Sequence, residues 1–155
     1  FGQMPVLHVD GEPIPQSLAI CRYIAKQYGF SGKTPFEAAW ADAIADLWKD
    51  FLFEFDKYWD VKIGYLNGDE ELAKNTHGIP ARDKFFPLIV KQLEENGSGF
   101  LVGDSLTWVD VLVANATDDI IVQESGFLDD YPEALRHKER IHAVPALKKW
   151  IEYRE

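Results

Sequence analysis

The sequence predicts a small β-hairpin and one helix, followed by a domain that is entirely helical. Strand character lies in Val6 to Ile14, around an Asp-Gly pair that is typical of hairpin turns. From Gln16 onward, apolar residues recur at helical spacing between Gly, Pro and capping residues. Because 46% of the 155 residues are apolar, the chain can bury a substantial core.

The first thirty residues are predicted to form the hairpin and its helix. Val6 to Val9 is a short apolar run, and Asp10-Gly11 suits a two-residue turn because both residues tolerate positive φ. The return strand would cover Glu12 to Ile14. Helical spacing then runs from Leu18 to Tyr28, and Gly29 stands where a C-cap glycine is expected.

A linker from Phe30 to Lys33 precedes the helical domain. Thr34 is a predicted N-cap, Pro35 suits the first helical position, and Glu37 would close a capping box. This helix is expected to reach about Gly64.

Four further helices follow, and a capping box of Thr107 and Asp110 marks the start of the second of them. We expect these helices at Ile79 to Asn96, from Thr107 to about Glu124, and in two shorter stretches that open near Pro132 and Pro145.

The charge balance argues against two kinds of partner. The chain carries 26 Asp and Glu against 16 Lys and Arg, a formal net charge of −10. Binding to nucleic acid or to an anionic membrane surface needs clustered cations, so we expect neither partner.

Cysteine content indicates a reducing compartment. Cys21 is the only cysteine, so no disulfide can form within the chain, and we expect a cytoplasmic protein. The sequence opens on Phe1 without an initiating Met, so a targeting segment upstream is not excluded.

Three segments, taken in order, carry a family resemblance. They are Phe1 to Leu7 with Asp10-Gly11, Gln16-Ser17 and Ala19 to Ile24; Gly32 to Pro35 with Asp42 to Ile44 and Lys49 to Phe51; and Leu101 to Asp110 with Ile141 to Ile151. Together they resemble the cytosolic glutathione transferases, especially the sigma class and its nematode relatives.

The resemblance implies a thioredoxin-like α/β N-terminal domain followed by an all-α C-terminal domain. Residues 1–30 would be the C-terminal β-β-α part of the first domain, and residues 34–155 the second. The β1-α1-β2 segment of the first domain, with its expected catalytic tyrosine, would precede this sequence. No catalytic residue is therefore assigned, and residues 1–155 alone are expected to bind glutathione weakly without conjugating it. The tyrosines that do not match that position are Tyr23, Tyr28, Tyr58, Tyr65, Tyr131 and Tyr153.

The resemblance also implies a glutathione site near the hairpin. Met4 and Pro5 would be joined by a cis peptide that presents the Met4 backbone to the cysteinyl unit of glutathione, although Pro5 alone could simply open an edge strand. Gln16 and Ser17 would hold the γ-glutamyl carboxylate, although Ser17 alone could be a plain N-cap. Gln3 would lie beside the same ligand.

Four acidic residues lie four apart on the first long helix, and we call Asp42, Asp46, Asp50 and Glu54 the acidic stripe. Like charges at this spacing repel, and Lys49 and Lys57 could compensate part of the cost. We expect a solvated face for Asp42, Asp46 and Glu54. For Asp50, the resemblance implies that its side chain reaches across a homodimer interface toward the α-amino group of the partner's glutathione. No metal is predicted, because Lys49 stands where relatives that bind a cation carry an acid.

Other residues with possible chemistry are given structural roles. Cys21 is expected to be an inert, buried thiol, and the four histidines have no metal-ligand spacing. Trp40 or Trp59 could edge the pocket for the electrophile, and the sequence does not decide between them.

The function that follows from the resemblance is conjugation of glutathione to hydrophobic electrophiles, as in detoxification. Three alternatives stay open: a non-catalytic relative such as a lens crystallin or ligand carrier, a glutathione-dependent prostaglandin isomerase, and an isolated helical interaction module.

Overall fold

The computed structural model describes residues 1–154, the last of these by its backbone alone. Its strands are β1 (Val6–Val9) and β2 (Glu12–Pro15), which form an antiparallel hairpin. The helices of this range are α1 (Ser17–Tyr28), α2 (Pro35–Lys62), α3 (Glu70–Ala73), α4 (Ile79–Asn96), α5 (Trp108–Gln123), α6 (Pro132–His142) and α7 (Pro145–Arg154), with one π-helical turn (Lys74–Gly78) between α3 and α4. The predicted architecture, a hairpin and helix followed by helices, is confirmed.

The hairpin turns at the predicted pair. Asp10 and Gly11 have φ angles of 51° and 90°, which is the left-handed backbone that the turn requires. β2 is one residue longer than predicted because Pro15 still pairs with Val6. This register also places the residues just before Val6 beside those just after Pro15.

Helix ends follow the capping signals with one difference. Gly29 caps α1 with φ 77°, and the Thr34 hydroxyl accepts the Glu37 N–H at 3.1 Å. The Glu37 carboxylate does not close the predicted box, because it accepts from the backbone N–H of Lys33.

The segment between α2 and α4 was not predicted as helix. Asp69 caps the short α3 by accepting from Leu72 N–H at 3.0 Å, and the π-helical turn follows. Gly78 ends this turn against Tyr58, where an added Cβ would lie 2.6 Å from the ring. Close packing against the ring therefore explains the glycine at this position.

Aromatic side chains fill the core between α2, α4 and the segment after α5. Phe51 stacks on Phe55 and on Phe85, with ring centroids 4.8 and 4.7 Å apart. Tyr58 stacks on Phe127 at 5.9 Å. These rings fix the position of the long helix α2, which carries much of the candidate site.

Asp110 organises the loop that precedes α5. Its carboxylate is fully buried and accepts from Leu101 N–H (2.7 Å), Thr107 N–H (2.8 Å) and the Thr107 hydroxyl (2.7 Å). The ring Nε2 of His137 lies 3.0 Å from the same carboxylate. The predicted capping box of Thr107 and Asp110 is confirmed, and His137 of α6 is added to it.

The acidic stripe is compensated from outside its own helix. Arg22 of α1 bonds Asp42 at 2.7 Å and Asp46 at 2.9 Å, and Lys84 of α4 bonds Glu54 at 2.7 Å. The side chains of Asp42, Asp46 and Glu54 keep 46%, 69% and 40% of their surface accessible, so the expected solvated face is confirmed, with Arg22 and Lys84 as compensating cations. The sequence could not show this compensation, because the paired cations lie 20 to 30 positions away in the chain.

In the part of the chain that the structure describes, no helix combines the length and apolarity that crossing a bilayer requires. Among the same residues, no group of three or more His, Cys, Asp or Glu is arranged to hold a metal ion.

Candidate functional site

Five of the six residues predicted to bind glutathione come together at the open end of the hairpin. Because Val6 pairs with Pro15, the segment Gln3 to Pro5 enters the hairpin at the same end from which Gln16 and Ser17 leave it. All five are exposed, and Met4 has 92% of its residue surface accessible. The Met4–Pro5 peptide is cis, as the resemblance implied.

Gln16 and Ser17 form the junction between β2 and α1. Gln16 has φ 75° and ψ 117°, a backbone conformation that is costly for a residue with a side chain and that is concentrated at functional sites. Gln16, not Ser17, is the N-cap, and its side chain makes no capping bond. Ser17 is the first helical residue, so the reading of Ser17 as a plain N-cap is wrong.

Asp50 lies apart from this cluster. It is exposed on α2, in a shallow cleft beside Glu54 of the acidic stripe and Lys84 of α4. The pKa of the Lys84 ammonium group is raised mainly by the bond to Glu54 and further by the negative charge of Asp50. Within one chain, the structure therefore does not bring Asp50 together with the hairpin residues.

A cavity of about 770 Å³ opens between α1, α2, α5 and the start of α7. Its volume falls within the range of small-molecule sites. Apart from a few polar groups the lining is apolar; it includes Cys21, Ile24, Trp48, Leu52, Phe55, Trp59, Trp108, Leu112 and Leu147.

The two tryptophans that the sequence left open differ in their position relative to this cavity. Trp59 lines it, whereas Trp40 stacks on Phe36 at the outer surface of α2, with ring centroids 6.1 Å apart. Trp48 also lines the cavity. At about 100° per helical residue, Trp48 and Trp59 differ by only about 20°, a signal that could have grouped them.

The cavity shares helix α1 with the predicted glutathione residues. Ser17 opens this helix, and Cys21, one turn later, is half-buried in the cavity wall. Burial raises the pKa of the Cys21 thiol, and the nearby Arg22 offsets only part of that rise. A raised pKa favours the protonated, less nucleophilic thiol. The expectation that Cys21 is buried is wrong, because the residue is only half-buried and lines the cavity.

A second polar cluster, which the sequence did not reveal, lies at the C-terminal end of α5, around the C-cap residue Glu124. Glu124 accepts from Tyr58 Oη (2.6 Å) and Lys74 Nζ (2.6 Å), and Lys62 Nζ lies 2.7 Å away. The Glu124 side chain is 14% exposed, and these donors hold its pKa at about 2, against the opposing effect of burial. Tyr58 and Glu124 are 66 positions apart, so no local pattern links them.

Comparison with known proteins supports the resemblance. Residues 1–26 match the family model for the glutathione S-transferase N-terminal domain, and residues 56–154 match the model for the C-terminal domain. The chain is 42% identical to probable glutathione S-transferase 9 of Caenorhabditis elegans over 154 residues, covering 99% of this chain and 75% of that protein.

Solved structures agree with the sequence comparison. The chain superposes on Na-GST-3 of Necator americanus, described as monomeric, with a TM-score of 0.96 and 45% identity, covering 100% of this chain and 76% of that one. A Nu-class glutathione S-transferase of Haemonchus contortus gives a TM-score of 0.90 and 45% identity, covering 100% and 75% of the two chains. The chain belongs to the glutathione S-transferase family.

Proposed function

We propose that the protein conjugates the thiolate of glutathione to hydrophobic electrophiles, in the cytoplasm and in a detoxifying role of the sigma-like type. The observation that carries this proposal is the position of α1 between two sites. Its first residue, Ser17, belongs to the hairpin cluster, and Cys21 lines the apolar cavity about 6 Å further along the helix axis. Glutathione at the first site would thus lie next to an electrophile in the second.

The hairpin cluster suits the polar groups of glutathione. Ser17 offers a hydroxyl and a first-turn N–H, both of which favour a carboxylate at a helix N-terminus. Gln16 turns the chain into the helix with a positive φ, which supports a functional role at this junction. Met4 is exposed, and its backbone would pair with the cysteinyl unit in the manner of an added strand.

Thiol activation needs a further group. A free thiol has a pKa near about 8.5, so an enzyme must favour the thiolate with a hydrogen bond or a charge. We assign this role to no residue of the described chain. We also propose a domain boundary between residues 30 and 34, where the linker joins α1 to α2.

We further propose a homodimer, in which Asp50 pairs with the ammonium group of the partner's glutathione. Its exposure on α2, away from its own hairpin cluster, supports this arrangement. Because the Necator relative is described as monomeric, the mass in solution is the test. Sedimentation equilibrium should give twice the chain mass, and a monomer that conjugates at full rate would refute the shared site.

The Ser17→Ala variant tests the glutathione site. In the full-length protein, loss of the hydroxyl bond to the carboxylate should weaken glutathione binding about 5- to 20-fold, which corresponds to about 1 to 2 kcal/mol. Isothermal titration with glutathione measures this change. Ser125→Ala, in the exposed segment after α5, is the matched control and should bind as the wild type does.

The outcomes separate the proposed function from its alternatives. Binding and turnover of a generic aromatic halide by the wild-type protein would support the transferase. Glutathione binding without turnover of any electrophile would instead favour a ligand carrier or crystallin-like relative. Unchanged affinity in Ser17→Ala would remove Ser17 from the site.

A further inference from the structure

The charged groups in the cavity wall are carboxylates. Among the described residues that line the cavity, Asp56 and Asp119 carry charge, and Lys, Arg and His do not occur. Asp119 accepts a hydrogen bond from Asn115 at 2.8 Å. Asp56, by contrast, lies on α2 between the two cavity-lining aromatic residues Phe55 and Trp59.

The cations nearest to Asp56 along α2 are engaged elsewhere. The Lys57 ammonium lies over the ring of Phe53, 5.2 Å from its centroid. Lys62 bonds Glu70 at 2.8 Å and Glu124 at 2.7 Å. Asp56 is an exposed residue that borders the cavity, and among the described residues no cation forms an ion pair with it.

The surroundings of Asp56 already oppose negative charge. The pKa of its carboxyl is raised, first by burial and then by the charge of Asp60 one turn further along α2. The same two causes act on any anionic group that enters the cavity nearby, and the charge of Asp56 adds to them.

We propose that Asp56 makes the cavity selective against anionic ligands, so that its preferred occupant is an uncharged or cationic apolar electrophile. That the occupant is an electrophile rests on the proposed function, whereas selectivity of the cavity for ligand charge does not require catalysis. Two unit charges about 7 Å apart at an effective dielectric of about 40 to 80 give roughly a three- to tenfold change in affinity. This factor should shrink as ionic strength rises, because the carboxylate lies at the cavity edge.

Three ligands with one hydrocarbon frame test the proposal: 4-phenylbutanoate, 4-phenylbutanamide and 4-phenylbutylammonium. Their binding is followed by the fluorescence of the tryptophans, of which Trp48, Trp59 and Trp108 line the cavity. The full-length protein is used without glutathione, so that the result does not depend on turnover. The wild type should bind the carboxylate roughly three- to tenfold more weakly than the amide, and the ammonium at least as well as the amide.

The Asp56→Asn variant should remove the part of this preference that the charge of Asp56 causes. Its ratio of carboxylate to amide affinity should rise toward one, while the amide affinity changes less than twofold. Glu94→Gln removes an exposed charge from α4, outside the cavity lining, and should leave the ratio as in the wild type.

Three results would overturn the proposal. They are equal affinities of the wild type for all three ligands, an unchanged ratio in Asp56→Asn, or the same change in Glu94→Gln. If charge selectivity is found but no electrophile is conjugated, the inference stands and the proposed transferase activity fails.

Discussion

Replacement of Asp110 by alanine is expected to destabilise the protein by about 3 to 5 kcal/mol, a large part of the stability of an ordinary domain. The carboxylate is fully buried, and its loss leaves the N–H groups of Leu101 and Thr107 without their acceptor. Unpaired buried donors cost more than the bonds themselves contribute, because they cannot regain water. Urea unfolding of the two proteins measures the difference.

Two further variants show whether the buried acceptor is the cause. Asp110→Asn keeps the shape and one carbonyl oxygen, so its loss of stability should be smaller than that of the alanine variant. Asp104→Ala removes an exposed carboxylate that pairs with Lys33, and it should change stability little. Similar unfolding midpoints for Asp110→Ala and Asp104→Ala would contradict the role given to Asp110.

The Glu124→Gln variant is expected to lose up to about 3 kcal/mol at neutral pH and to lose it in a pH-dependent way. Burial alone would raise the pKa of Glu124, but its bonds to Lys62, Lys74 and Tyr58 hold the pKa of the folded state at about 2, below the usual glutamate value of 4.5. A lowered pKa means that the carboxylate stabilises the fold fully above pH 4.5, and that this stabilisation disappears as the pH falls from 4.5 toward about 2. Unfolding free energies measured from pH 6 down to pH 2 should therefore converge for the wild type and the variant.

Tyr58→Phe provides a graded comparison for this cluster. It removes one of the donors to Glu124 and should cost about 1 kcal/mol, while the two lysines keep most of the pH dependence. If the Glu124→Gln and wild-type curves stay parallel across the acidic range, Glu124 is not the group that titrates.

Local sequence signals predicted the elements that end in strong caps. The bounds of α4 agree with the prediction at both ends, since Gly97 follows its last turn with φ 66°. The hairpin was predicted from Asp10-Gly11, whose conformation few other pairs accept. The short α3 and the π-helical turn escaped prediction because they contain few apolar residues and no clear period.

The candidate site was predictable only in part. The resemblance named the hairpin residues, and the register of β1 and β2 then explains why they are neighbours. Contacts between distant segments were not predictable, because no periodicity relates Tyr58 to Glu124 or Arg22 to Asp42. The cavity wall was not predictable either. Helical phase groups Trp48 with Trp59 but does not show which helices they face.

The ion pairs of the acidic stripe have a consequence for the order of folding events. Isolated α2 would carry four like charges at a repelling spacing, and the observed pairing cations come from α1 and α4. Much of the helix is therefore stabilised only after those neighbours have docked, as is usual for helices in proteins. Arg22 also links α1 of the N-terminal segment to α2 of the helical domain. A hydrogen bond from Trp108 N–H to the Phe30 carbonyl, 2.9 Å long, makes a second link between the two parts. We therefore expect the N-terminal segment and the helical domain to unfold in one cooperative transition.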